Sequence, residues 1–390
     1  MGASVVKATD QQIICFGAAE WSGMWARAQQ LMTRFAAIDY QILYIDPPIT
    51  WLSPIKNPAY WKQRVFNVPR LEEVSPGIFV YTPLPLLPFA NLKPWLNKLN
   101  QLLLGRALKK VLAKLKFVKP ILWTYLPNNI DILKHISHAQ LIYDCADEHA
   151  SFPGFVKAEV VLDMEYRLLN QAEIVFVSAQ ELYNRKGAHC QNIHLINNGA
   201  DFEHFSKALS EELDFPEFIA SLPKPIVGYI GALSAWLDLE LIKALALAYP
   251  KWSIVMVGPQ DVDLTELRAL GNIYFVGPKS YGILPSYLKS FDLCLIPFKI
   301  NDLTVNVNPV KLYEYLAAGK PVLATALPEV LNFSDYVAIA NNKEDFVVLA
   351  AQEIAKDNSQ KIQSRLDIAY ANSWNIRFKQ MLEIILEISP

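Results

Sequence analysis

The feature that most constrains this chain is a series of short, uninterrupted apolar runs that occurs twice in succession. The first set reads IICFG (13–17), QILYID (41–46), IFVYTP (78–83), PILWTY (120–125), QLIYD (140–144) and IVFVS (174–178). After residue 224 the pattern restarts as IVGYIG (226–231), SIVMVG (253–258), IYFVG (273–277), LCLIPF (293–298), PVLATA (321–326) and YVAIA (336–340). A strand with one wet face alternates apolar and polar residues, and these do not. Continuous runs separated by helical patterns predict parallel strands covered on both faces. Two such sets predict an α/β fold of two Rossmann-like, doubly wound domains. Ligands of open parallel sheets sit beyond the carboxyl ends of the strands, so chemistry is expected in the loops that follow them. The seam is placed at the Asn- and Gly-containing turn NNGADFEHF (197–205). The expected domains are 1–198 and 199–368, followed by a C-terminal crossover helix over 369–390. Its helical pattern covers about 361–388, long enough at roughly 1.5 Å per residue to reach across both domains.

Composition agrees with two large cores. The chain has 390 residues, 52% hydrophobic and only 19% charged, which exceeds one ordinary core and excludes a disordered chain. A net charge of −2 gives no general attraction to nucleic acid, so none is expected as a partner. The opening MGASVVKATDQQ has neither a basic start with an apolar run nor, with Val6, the myristoylation pattern. No apolar run approaches the roughly 20 residues of a spanning helix. Cys15, Cys145, Cys190 and Cys294 are scattered without a CxxC pair, as expected of reduced core thiols in a cytoplasmic protein.

The segment NVNPVKLYEYLAAGKPV (306–322) carries the strongest binding signal. Asn308 is a favoured N-cap residue and Pro309 suits the first helical position. Gly319 is placed to close the helix before the strand PVLAT. The free N–H groups of a helix start that spans Asn308, Pro309 (itself without one), Val310 and Leu312, with the helix dipole, favour an anion. Lys311 adds a flexible ammonium in the first turn, and Glu314 follows on the same face one turn deeper. This suits a phosphorylated sugar or nucleoside, with phosphate at the mouth and hydroxyls further in. The competing reading is a surface Lys–Glu pair on an ordinary capped helix.

Other clusters follow strand ends. Asp144 ends QLIYD, and Asp147, Glu148 and His149 follow it; crowded carboxylates raise one another's pKa, which suits proton acceptance or orientation of a hydroxyl. Alternatively, Asp147 caps a turn and the others are solvated. In Trp21–Arg27, Gly23 permits close backbone approach beside Trp25, and Arg27 suits a phosphate or carboxylate; two tryptophans are equally suited to packing. Gly231 and Ala232 are expected to end a strand and open a helix whose amides face an anion. Asp238, just inside it, reads either as a first-turn stabiliser or as a reactive group. Asp261-Val262-Asp263 reads as helix capping by Asp263 rather than a metal motif, and no cluster with metal-ligand spacing is expected. From Val74 to Ile130 there is no acidic residue. Leu104, Leu108, Val111, Leu112 and Leu115 share one helical face, and Arg106, Lys109, Lys110, Lys114 and Lys116 the other. Residues 96–119 therefore suit an anionic membrane surface, peripherally on the inner face of the plasma membrane, or a core helix with a solvated basic back.

Seven segments in order carry a family resemblance. They are WSGMWARAQQLMTRFA (21–36), LIYDCADEHASF (141–152), AEIVFVSAQELYNRK (172–186), INNGADFEHF (196–205), GYIGALSAWLDLELI (228–242), VGPKSYGILPSYLKSFDLCLIPF (276–298) and NPVKLYEYLAAGKPV (308–322). Over most of its length the chain resembles the two-Rossmann (GT-B) glycosyltransferases of family 4. The similarity is to sugar transferases of teichuronic acid and exopolysaccharide synthesis. The resemblance implies a retaining, metal-independent hexosyltransferase-type enzyme (EC 2.4) without a cofactor. Its donor would be a nucleotide-diphosphate sugar bound mainly by the C-terminal domain, and its acceptor a glycan, lipid-linked or small molecule held by the N-terminal one. It assigns Glu314 to ribose hydroxyls and passes the base by Gly277–Pro285, with Tyr281 as a stacking surface. Three positions depart from the family pattern. The first of two glutamates eight apart falls on Asn306, the usual Arg and Lys are missing from GALSAWLDLELI, and Asp144-Cys145-Ala146-Asp147 stands where a His-Asp pair is common. These departures motivate the alternative of a catalytically degenerate member that binds a glycan, lipid or partner without turnover.

Overall fold

The computed structural model describes residues 11–52, 68–152, 154 and 156–388. Residues 1–10, which bear most of the expectation about a leader or lipid anchor, lie outside the described residues. The chain divides into two units, Met1–Ile196 with Met381–Pro390, and Asn197–Gln380.

The first unit is built on an eight-stranded sheet. Its strands are β1 (Gln12–Phe16), β2 (Gln41–Ile45), β3 (Arg70–Ser75), β4 (Ile78–Thr82), β5 (Ile121–Thr124), β6 (Gln140–Cys145), β7 (Ile174–Val177) and β8 (Ile193–Leu195). They lie in the order β3-β4-β2-β1-β5-β6-β7-β8, and only the β3–β4 pair is antiparallel. The six inner strands are those the apolar runs predict. β1, β5, β6 and β7 are buried at every residue, which is why they read as continuous rather than alternating. The two edge strands escape the sequence reading for opposite reasons. RLEEVS in β3 is charged and half exposed, as an edge must be to resist further pairing. IHL in β8 is too short to show a pattern. At the centre, Trp123 of β5 stacks on Phe176 of β7 at 5.9 Å and meets the Phe35 edge at 5.6 Å.

The basic amphipathic helix is Pro94–Leu115. Its apolar stripe is spent inside this unit: Leu104, Leu108, Val111 and Leu112 are core residues. Arg106, Lys109, Lys110, Lys114 and Lys116 point to solvent. Of the two readings, the apolar stripe follows that of a core helix with a solvated basic back. Among the described residues no helix is long and apolar enough to cross a membrane.

The second unit holds β9 (Ile226–Ile230), β10 (Ser253–Val257), β11 (Ile273–Gly277), β12 (Leu293–Ile296), β13 (Val322–Thr325) and β14 (Ala338–Ala340). All six match predicted runs and are parallel, in the order β11-β10-β9-β12-β13-β14. This is the doubly wound order, and the inner six strands of the first sheet repeat it. Strand order reverses between β1 and β5 in one unit and between β9 and β12 in the other. Those two switch points are where an open sheet parts its loops to form a crevice.

The expected single C-terminal helix is two helices, Ser359–Ala371 and Trp374–Ile388. The break occurs where the chain pairs with Ala200: Ala200 N donates to Asn372 O at 3.0 Å, and Trp374 N donates to Ala200 O at 2.8 Å. A strand-like exchange at that point removes the backbone groups a continuous helix would need.

Candidate active site

The second unit places its candidate groups at the β9/β12 switch point. The Gly231 amide is not free: it donates to Val257 O at 2.8 Å as the last rung beside β10. The next helix starts only at Leu239, capped by Asp238, whose side chain accepts from Glu240 N. The expectation that Gly231 and Ala232 open a helix is therefore corrected. Asp238 takes the stabilising role. Gly231 serves instead through the side chain it lacks. Its φ is 150°, and a Cβ there would overlap Lys311 Cε and lie 2.5 Å from Lys311 Nζ. The ammonium occupies that space, 5.5 Å from the centre of the Tyr229 ring and 5.7 Å from that of Phe298. Tyr229 belongs to β9 and Phe298 follows β12, so the cation stands between the two diverging strands.

Lys311 is delivered by the helix Val310–Ala317. The helix begins one residue later than expected: Pro309 is the N-cap, extended at ψ 114°, with no side-chain cap. Asn308 is buried and engaged elsewhere. Its Oδ1 accepts from Asn198 N at 2.9 Å, its carbonyl accepts from Asn198 Nδ2 at 2.7 Å, and its Nδ2 donates to Tyr313 Oη and Glu329 Oε2. This corrects Asn308 from cap to anchor. Pro309 is buried, while Val310 and Lys311 are partly exposed and Leu312 is in the core. The first backbone bond of the turn is Leu312 N to Pro309 O, so the helix start is intact without a capping side chain. At the other end Gly319 closes the helix as expected, with φ 68°. Its amide donates to Leu316 O and that of Lys320 to Tyr315 O, the paired bonds of a Schellman motif.

Two further groups stand beside this helix. Asn306 is fully buried; its Nδ2 donates to Asp302 O, but its Oδ1 has no partner. A buried orphaned acceptor costs ~1–3 kcal/mol, which a ligand donor would relieve. Glu314 is partly exposed, and burial pushes its carboxyl up to about 7, with Lys311 opposing and Asp201 adding to the rise. Asp201 in turn accepts from Tyr281 Oη at 3.0 Å. One face of the Tyr281 ring is stacked on His204 at 4.3 Å.

In the first unit, the candidates Arg27 and Asp144 are spent on each other. Arg27 Nε donates to Asp144 Oδ1 at 2.8 Å and to Oδ2 at 2.9 Å, and Nη1 donates to Ile196 O at 2.9 Å. Their side chains are 4% and 0% exposed. The expectation of Arg27 as a ligand contact and Asp144 as a reactive group is corrected: the pair is sealed in the core, joining a helix start to the end of β6. Glu148 is buried too, against Lys186 at 2.9 Å, which also holds Glu165 at 2.6 Å. Asp147 and His149 remain at the accessible end of this loop. Burial raises the Asp147 carboxyl while His149 opposes the rise, and His149 Nε2 has no partner. Trp21 packs edge-on to Tyr44 at 5.1 Å and lies 6.2 Å from Trp25; Gly23 forms a turn, its amide donating to Glu20 O.

Some functional candidates were missed by sequence reasoning. Glu20, beside Asp46, is pushed up to about 7 by burial and by that neighbour. Asn97, Gln101 and Asn128 gather around a cavity in the first unit. The available signal was amides at i and i+4 on the inward face of an otherwise leucine-rich helix. Asp263 accepts from Thr265 N and Oγ1, and Asp261 from Ser234, so both carboxylates of the DVD motif have local work.

Comparison with known proteins agrees with this arrangement. Residues 224–362 match the family model of the glycosyl transferases group 1. The chain is 27% identical over 283 residues to a Bacillus subtilis (strain 168) protein designated teichuronic acid biosynthesis glycosyltransferase TuaH, covering 67% of this chain and 70% of that one. Three solved structures share its fold. Sucrose-phosphate synthase from Thermosynechococcus elongatus has a TM-score of 0.70 at 18% identity, over 97% of this chain and 99% of that one. Anabaena HepE in complex with UDP-glucose has 0.60 at 16%, over 96% and 99%. A trehalose-6-phosphate synthase, analysed for glycosyl transfer with retention, has 0.64 at 12%, over 97% and 99%. Residues 224–362, in the second unit, thus match the glycosyl transferases group 1, and the chain as a whole shares the two-Rossmann GT-B fold of these solved structures.

Proposed function

We propose that the enzyme transfers a sugar, with retention and without a metal, from a nucleotide-diphosphate sugar to a glycan or lipid-linked acceptor in cell-envelope polysaccharide synthesis. The observation that carries this reading is the Lys311 ammonium held over Gly231 at the β9/β12 switch point. A departing diphosphate needs positive charge already in place, and a fixed cation beside a helix start supplies it without reorganisation. Lys311 thereby takes over from the Arg and Lys missing after β9. Asn306 Oδ1 would accept a hydroxyl of the donor sugar, and Glu314 the ribose hydroxyls. HepE, of the same fold, binds UDP-glucose, and the trehalose-6-phosphate synthase precedent supports retention. The acceptor belongs to the first unit, on the side of Asp147 and His149.

Lys311→Ala is expected to weaken nucleotide-diphosphate binding by about tenfold or more, with little change in melting temperature. Calorimetry with UDP, GDP, dTDP and ADP measures it. Unaltered protein that binds none of the four would be a non-catalytic scaffold instead. Glu314 adds a pH dependence. Its folded carboxyl titrates near 7, above the ordinary value, so the unliganded protein loses stability as pH rises from about 4.5 to about 7. Donor affinity should rise over the upper part of that window as the carboxylate forms. Glu314→Gln should flatten both curves, and a pH series of Tm and Kd that leaves them unchanged would remove Glu314 from the site.

Gly231→Ala tests the geometry itself. The new methyl must displace Lys311 and adopt a φ that L residues rarely hold, at ~1–3 kcal/mol. Loss of nucleotide binding beyond that of Lys311→Ala is expected by titration.

A further inference from the structure

β9 and β12 part before their ends. Among the described residues their ladder comprises two pairs, Val227 with Leu293 and Gly228 with Cys294. Continued in register, it would set Ile230 opposite Ile296. In a parallel ladder the Ile230 carbonyl would then accept from the amide one residue further on. That residue is Pro297, which has no N–H to give. Ile230 is buried, so its backbone groups need partners from within the protein. One hydroxyl supplies both: Tyr315 Oη accepts from Ile230 N at 2.9 Å and donates to Ile230 O at 3.3 Å. The two rings beside the Lys311 ammonium are pinned as well. Tyr229 Oη donates to Ala232 O at 3.0 Å, and Thr325 Oγ1 donates to Phe298 O at 2.8 Å.

What remains to be held is the helix that delivers the lysine. Tyr315 lies one turn beyond Lys311 on that helix, and Ile230 immediately precedes Gly231. The hydroxyl therefore links the segment carrying the ammonium to the residue beside the gap it fills. Tyr315 is 0% exposed, so it touches no ligand itself. Burial raises its phenol well above the ordinary range, and the proton shared with Ile230 O is kept at neutral pH. A lysine is a point charge on a flexible stem, and its effect on an anion depends on where its backbone is fixed. We propose that Tyr315 is a positioning residue for the diphosphate, its hydroxyl setting Lys311 over Gly231. The assignment rests on the transferase reading above.

Tyr315→Phe removes the hydroxyl and keeps the ring. Titrations of the full chain compare whichever of UDP, GDP, dTDP and ADP binds the unaltered protein most tightly with its own nucleoside. The diphosphate should bind Tyr315→Phe about fivefold more weakly, with the nucleoside unchanged. In a Lys311→Ala background the same change should cost the diphosphate nothing further, because the link then positions no charge. A variant that is merely unstable would lose both ligands alike and recover in sucrose, which favours the folded state; a positioning loss persists there. Full diphosphate affinity, an equal loss of the nucleoside, a loss repeated in the Lys311→Ala background, or recovery in sucrose would each overturn the proposal. Unaltered protein that binds none of the four sinks the transferase reading and this assignment with it, whereas the preceding outcomes, on protein that does bind, sink this assignment alone.

Discussion

Arg27→Leu is expected to destabilise the protein by ~3–5 kcal/mol, the usual cost of leaving one member of a buried ion pair alone. Asp144 is the member left behind, at 0% exposure, with nothing equivalent to the two Nε bonds it loses. The guanidinium also satisfies the Ile196 carbonyl, so its removal strands a second polar group. For a chain of this size the melting temperature should fall by roughly 10 °C. Replacing both residues, Arg27→Leu with Asp144→Leu, should recover much of the loss, because no buried charge then lacks a partner. Thermal unfolding of the two singles and the double measures this. An Arg27→Leu protein that melts normally but transfers no sugar would restore the catalytic reading of Arg27 and refute the structural one.

Lys186→Met should be as damaging, about 3–5 kcal/mol, since it abandons two carboxylates at once. Glu148 and Glu165 both lean on that ammonium, and Glu165 also accepts from Tyr143 Oη at 2.7 Å. Burial alone would lower the Lys186 pKa. Glu165, Cys145 and the hydrogen bonds to both carboxylates outweigh it and hold the ammonium above its ordinary value. A cation with a raised folded pKa contributes its full stability below the unfolded value near 10.4 and loses it only as pH climbs further. The deficit of Lys186→Met relative to the unaltered protein should therefore stay constant between pH 6 and about 9. Denaturant unfolding across that range checks it. A deficit that disappears at neutral pH would mean the carboxylates find water or protons cheaply, and the network is not a structural lock.

Both locks show where reading along the chain stops. Every predicted strand exists, because burial on both faces imposes an unbroken apolar run that is visible in a handful of neighbouring residues. Gly319 and Asp238 were legible for a related reason: helix ends are local, and the residue that closes or caps one lies within a turn of it. Asn308 misled because its residue type fits a cap, while its side chain is claimed by Asn198, 110 positions away in sequence. Arg27 and Asp144 misled in the same way, as polar residues at strand ends that pair across 117 positions.

The alternation of apolar runs and helices, read in order, was enough to specify two doubly wound sheets, the strand ends where ligands belong, and a Lys–Glu helix after β12. Folding in three dimensions settled which charges are spent and which remain: Arg27, Asp144, Glu148 and Lys186 are consumed inside the first unit, and Lys311 is lodged over Gly231. The division has a simple cause. Backbone pattern depends on neighbours a few residues apart, whereas the partner of a buried polar group is chosen by whatever distant segment packs against it.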